Sequence, residues 1–497
     1  MKARGIAFIL FFALALGLFT GASAHISAVA DGLRYDSRVL FGERSEAAGV
    51  SVRQESVLEG HYIWELTEDA GSGTQSLANG FSLSRRSHAT EQSPAGFYFN
   101  VGVDSTVSDS DLSYGQTGKL EERLFSYALS TAGALGAAEQ FLHLCLNDFT
   151  DTLPISVWPS GSYEADGVSL PISVGGSYSW DPADVSGCFS VPLPENTFID
   201  VTCSISPQYG SNASINWSDS GPVYNAGADF TLAADGSFYG PFYIVEENYD
   251  TGARRVLRSS AGIWRVPGFA GETQNGQPAY IADFSAAELI YPMDYEFYSA
   301  FYNYDAAGEN MLLITCEPDG LYLTVFELAA GAPRQRALLL SRDEAAALEV
   351  EYPLDYGRIV AGEGCYVLES GGLRLVFSER GGLYSTELAI NGYGLPTPAL
   401  APEDYQGEWF NPTSQEYVLD GERLILLVNG WYVPEDGYRE GANAEWRDFS
   451  QLSVFRDGEC VYVEWLESPL EADSNYGYSQ NPVLSRRHVS LAQGVRT

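Results

Sequence analysis

The chain has 497 residues, with 66 acidic against 27 basic side chains and a formal charge of −39. Hydrophobic residues make up 45% of it, which excludes wholesale disorder, and at ~100–200 residues per domain the length predicts two or three domains or one large repeat architecture. The acidity excludes the usual electrostatic route to nucleic acid, because a polyanion releases no counterions from DNA, and it equally disfavours anionic lipid.

Lys2 and Arg4 form a short basic start, Gly5 through Phe19 are uncharged and almost wholly apolar, and Ala22-Ser23-Ala24 has the small-x-small pattern of a processing site. Together they predict a secretory signal peptide over residues 1–24. The apolar run falls short of the ~20 residues that a bilayer span requires, so a retained anchor is the weaker reading. The mature chain is expected to be secreted or held at the cell surface, with no membrane span after cleavage.

Residues 25–225 read as a β-rich region. Segments such as Val50-Ser51-Val52, His61-Tyr62-Ile63-Trp64-Glu65-Leu66 and Phe97-Tyr98-Phe99 alternate or carry aromatics between Gly, Asp, Asn and Ser turns, as half-buried strands do. Asp104, Asp109 and Asp111 make the densest acidic loop. Their oxygens suit calcium, although the glycine and terminal glutamate of an EF-hand are missing. The one long helical pattern runs from Lys119 to about Gln140, and Ser285-x-x-Glu288 and Ser341-x-x-Glu344 have the form of capping boxes.

Catalytic signatures are sparse. Asp219-Ser220-Gly221-Pro222 resembles part of the nucleophile motif of chymotrypsin-like proteases, yet one glycine and any accompanying Ala-His-Cys are missing. The five histidines (His25, His61, His88, His143, His488) form no HExxH pair, which disfavours zinc hydrolysis. Six cysteines in an exported chain permit disulfides, and on separation Cys188 with Cys203 is the best candidate pair.

Residues 226–468 carry a repeat. Pro292-Met293-Asp294-Tyr295, Pro353-Leu354-Asp355-Tyr356 and Pro402-Glu403-Asp404-Tyr405 share P-x-D-Y, and four strand-like runs follow each. The hairpin dipeptides Asp319-Gly320 and Asp457-Gly458 fall between such runs. Four consecutive strands per roughly 50-residue unit resembles a β-propeller blade, and Tyr243 through Leu257 resembles the outer hairpin of one blade earlier. The resemblance is one of architecture, with no family signature, and it implies sheets that stack around an axis for burial. The expected fold is therefore all-β, with a propeller-like C-terminal region. Residues 25–225 supply either further blades or a separate β-sandwich, and residues 469–497 a polar tail that could add a last strand.

In a propeller the segment before each inner strand lies on one face near the axis. That placement would bring Asp294, Asp355 and Asp404 together with Tyr295, Tyr356 and Tyr405 at an acidic, aromatic mouth. The alternative is structural: proline and aspartate shape the turn and tyrosine wedges between sheets. The functional expectation is a non-enzymatic binding module for a protein or glycan at the cell envelope. The second expectation is a carbohydrate-active or lectin-like protein using the same residues.

Overall fold

The computed structural model describes residues 34–58, 62–81, 95–102, 105–108, 119–135, 139–165, 168–174, 183–206, 210–218, 222–248, 251–273, 275–370, 372–391, 410–421, 423–432, 447–467 and 483–491, with positions 14, 17 and 20. The chain is all-β, as expected, and divides into two compact units: residues 1–90 with 360–497, and residues 91–359. The boundary drawn from the repeat at 225/226 falls inside the second unit, where strand Val223–Ala226 pairs with Phe238–Asn248.

Blade-type meanders follow the P-x-D-Y motifs. After the first, strands Ser299–Tyr304, Asn310–Glu317, Gly320–Glu327 and Ala332–Ser341 pair in chain order. After the second come Arg358–Gly362, Cys365–Ser370, Leu373–Arg380 and Leu383–Asn391. After the third come Phe410–Asp420, Arg423–Tyr432, Arg447–Arg456 and Glu459–Glu467. Asp457 and Gly458 both have positive φ, 50° and 84°, as the primed two-residue turn of a twisted hairpin requires.

In the first unit the third meander is covered on both faces. Ile425 and Leu427 join a core with Val50, Val52 and Leu66, while Leu424 and Leu426 join another with Val367 and Val376. Burial on both sides explains why Leu424 through Val428 is an unbroken apolar run with no polar alternation. The two chain ends cross over. Asp36–Gly42 adds a fifth strand beside Glu459–Glu467, and Val483–Leu491 pairs with Val50–Leu58, itself followed in the sheet by Tyr62–Asp69 and Thr74–Phe81. The strand expected in the C-terminal tail is thus present, and it joins an N-terminal sheet.

A buried ionic cluster sits where the N-terminal strand joins. Arg44 follows that strand and reaches Glu68 Oε1 at 3.3 Å and Glu464 Oε1 at 2.6 Å; both glutamates are fully buried. The Ser37 hydroxyl lies 3.0 Å from Glu68 and 2.7 Å from Glu464, the Gln75 amide donates to Glu68, and the Tyr462 hydroxyl donates to Glu464. Burial, and then the charge of Glu464, push the Glu68 carboxyl up to about 7.

The second unit contains a helix packed on a sheet. Helix Lys119–Leu135 ends before the expected Gln140, which lies in strand Glu139–Cys145. Leu124, Phe125, Ala128 and Ala132 form its buried stripe, packed in one core with Ile199, Val201, Ala213 and Ile215. These last residues belong to the sheet Ser105–Ser108, Gly210–Trp217, Phe198–Ser206, Glu139–Cys145. The hairpin expected around residues 243–257 forms, but as Phe238–Asn248 with Ala253–Val266 inside an eight-stranded sheet rather than as the edge of a four-strand blade.

Two smaller expectations are corrected. Ser341 and Glu344 do form a reciprocal capping box, whereas the short helix Phe284–Ala286 is capped by Asp283, and Glu288 begins a strand. All six cysteines are free, so Cys188 and Cys203 form no bridge. Cys203 stands in register between Gln140 and Ala213, neighbours that offer no thiol.

Candidate functional site

The first two P-x-D-Y motifs lie in the second unit, each directly before the first strand of a meander. Pro292 closes strand Glu288–Pro292, and the Met293 amide donates to the Ala261 carbonyl while its side chain is fully buried. This anchor leaves Asp294 exposed and turns Tyr295 inward, where its ring meets Phe297 with centroids 5.8 Å apart.

Tyr295 forms half of an aromatic clamp. The Arg336 guanidinium lies 4.5 Å from the Tyr295 ring centroid and 4.7 Å from that of Tyr322. The same guanidinium donates to both Glu317 oxygens, at 2.7 and 2.6 Å, and the Thr315 hydroxyl donates to Glu317 Oε1 at 2.6 Å. Burial works against the charge on Arg336, but the Glu317 hydrogen bonds and charge outweigh it, so its pKa is raised. Burial pushes the Tyr295 hydroxyl up to about 12. The Tyr322 hydroxyl donates to Asp319 at 2.7 Å, in the turn after Glu317.

The second motif reaches the same glutamate from its backbone. The Tyr352 hydroxyl donates to the Glu317 carbonyl, Pro353 follows through a cis bond, and the Leu354 carbonyl accepts from the Ser299 hydroxyl at 2.5 Å. Leu354 is buried as Met293 is. Beyond it, Asp355 is exposed and ion-paired with Arg254, and Tyr356 projects outward at 84% exposure. Arg258, on the same strand as Arg254, lies 3.7 Å from Glu296 beside the first motif.

Of the motif residues, Tyr295 lies beside Glu317 through Arg336, and the two motif tyrosines take opposite roles: Tyr295 packs and Tyr356 faces water. Asp404 and Tyr405, together with the expected calcium loop Asp104, Asp109 and Asp111, lie outside the described residues, as do Asp219, Ser220 and Gly221. Among the described residues no cluster of three or more His, Cys, Asp or Glu side chains could hold a metal ion. No helix among them is long and apolar enough to cross a membrane.

Glu317, Arg336, Tyr322 and Arg254 were not legible as site residues. One signal existed: Tyr precedes proline in both Tyr291-Pro292 and Tyr352-Pro353, and Glu317-Pro318-Asp319-Gly320 marks the turn they surround.

No protein-family model matches the chain, and no curated protein does. Among solved structures, a putative 6-phosphogluconolactonase from Bacteroides uniformis is 12% identical over 83% of this chain and 99% of its own, with a TM-score of 0.21. The dihydro-heme d1 dehydrogenase NirN is 10% identical over 85% of this chain and 74% of its own, at 0.20. The WD40 domain of SCAP from fission yeast is 9% identical over 88% and 89%, at 0.17. Likenesses at TM-scores near 0.2 assign no role to any residue of the site.

Proposed function

We propose that the chain is an exported, non-catalytic binding module of the cell surface, and that the turns carrying Asp294, Asp355 and Tyr356 form part of its contact surface for a cationic segment of a protein partner. The supporting observation is the pairing around Glu317. Glu317 and Asp355 are each engaged by an arginine, an arrangement that orders the surface by fixing both side chains in place. An outward tyrosine beside an ordered aspartate offers a partner's Lys or Arg both a ring face and a charge.

The test compares the full mature chain with an Asp294→Asn, Asp355→Asn variant as bait in cell-envelope extracts. A partner retained by the native chain and lost from the variant supports the assignment, and equal retention by both rejects it. Exposed Tyr356 also favours a second reading, a lectin-like site in which that ring stacks on a sugar. A glycan array in which Tyr356→Ala abolishes a signal would choose it over the first.

A further inference from the structure

The helix-covered sheet of the second unit has a second face. Helix Lys119–Leu135 packs on the side bearing Ile199, Val201, Ala213 and Ile215. On the other side, residues in register make two rows. His143, Asp200 and Asn216 stand side by side on three strands, and Phe141, Thr202 and Ser214 form the row beside them.

The side chains of this face are organised. His143 Nδ1 lies 2.8 Å from Asp200 Oδ1, and the ring stacks on Phe198 with centroids 4.7 Å apart and planes 12° from parallel. Because an ionised carboxylate only accepts, Nδ1 carries the proton, and in the neutral ring the outward Nε2 is an acceptor. Asn216 donates to the Ser214 hydroxyl at 3.2 Å, which sets its amide plane. Phe141 is 60% exposed although it is a large apolar ring, and His143 is 45% exposed.

We infer that this outward face is a binding platform for a neutral oligosaccharide. The inference is independent of the site around Glu317 and uses none of its residues. In a chain of net charge −39, the acidic and basic residues on this face of strands Glu139–Cys145, Phe198–Ser206 and Gly210–Trp217 are Asp200, His143 and, at the edge, Glu139. Asp200 and His143 are paired with one another. Those three strands, so nearly neutral among the described residues, offer little to a cationic partner. One exposed phenyl is too small an apolar core for a stable protein interface. A sugar matches each feature. Its C–H face covers the Phe141 and His143 rings, and its hydroxyls both donate and accept, as His143 Nε2, Thr202, Ser214 and Asn216 require. The strand spacing of about 4.8 Å repeats these groups at intervals comparable to one sugar ring.

The test is affinity electrophoresis of the full mature chain in native gels containing soluble cellulose derivative, xylan, mannan or amylose. Retardation is expected in at least one gel, weakened roughly tenfold or more by Phe141→Ala and also weakened by Asn216→Ala. Asp294→Asn with Asp355→Asn should leave it unchanged, which separates this face from the site around Glu317. Both platform positions are exposed, and an unchanged thermal midpoint of each variant shows that the fold is kept. Free migration in all four gels, or retardation that survives Phe141→Ala with Asn216→Ala, overturns the inference. So does concentration-dependent self-association that Phe141→Ala abolishes, which would give the face to a second copy of the chain.

Discussion

Both units bury glutamate against arginine, with different stoichiometry. Around Arg44, two fully buried carboxylates share one guanidinium, so one negative charge is left over and Glu68 retains its proton up to about 7. Around Arg336, one nearly buried carboxylate meets one guanidinium in a two-oxygen contact, and two tyrosine rings flank the cation. The first arrangement is a clasp whose charge depends on pH. The second is balanced and serves to shape a surface. Complete burial first, and then the charge of the second carboxylate, separates the two behaviours.

Removing Arg44 should have the largest effect. Arg44→Met leaves two buried carboxylates without a cation, and denaturant unfolding should show a loss of about 3–5 kcal/mol. A loss comparable to that of an exposed pair would break the comparison. The next effect is pH dependence. The folded pKa of Glu68 is raised from 4.5 to about 7, so its contribution is complete below pH 4.5 and is lost as pH rises through 7. Denaturation midpoints measured between pH 5 and 8 should fall with pH, and Glu68→Gln, which keeps the shape without the charge, should flatten that slope. A slope unchanged by Glu68→Gln would remove Glu68 as its source.

At the balanced pair, Arg336 is one-third exposed, so solvent screening reduces the loss. Arg336→Ala should cost about 1–2 kcal/mol through the unpaired Glu317 and the opened ring clamp, with little dependence on pH between 6 and 8. Asp355→Asn should do least, within about 0.5 kcal/mol, because its carboxylate is 55% exposed. Thermal melts of these two variants side by side check both values.

The meanders were readable because strand alternation and turn dipeptides are local signals, and the four runs after each P-x-D-Y motif coincide with observed strands. The contrast between Tyr295 and Tyr356 was not readable. Both follow the same proline and aspartate, but Arg336 and Tyr322 come from later strands to hold Tyr295 inward, while Tyr356 remains exposed. The crossed chain ends escaped sequence reading for the same reason. Nothing local in Asp36–Gly42 or Val483–Leu491 names a partner strand more than 400 residues away.

From its sequence alone the chain determined an all-β fold, the order and length of its repeating strands, and its acidic character, since each follows from side-chain periodicity or composition over short spans. Tertiary structure alone decided which strands complete which sheets, which of two equivalent tyrosines packs, and where two glutamates must share one arginine. Those outcomes depend on contacts between residues far apart in sequence, whose energies exist only after the chain has folded.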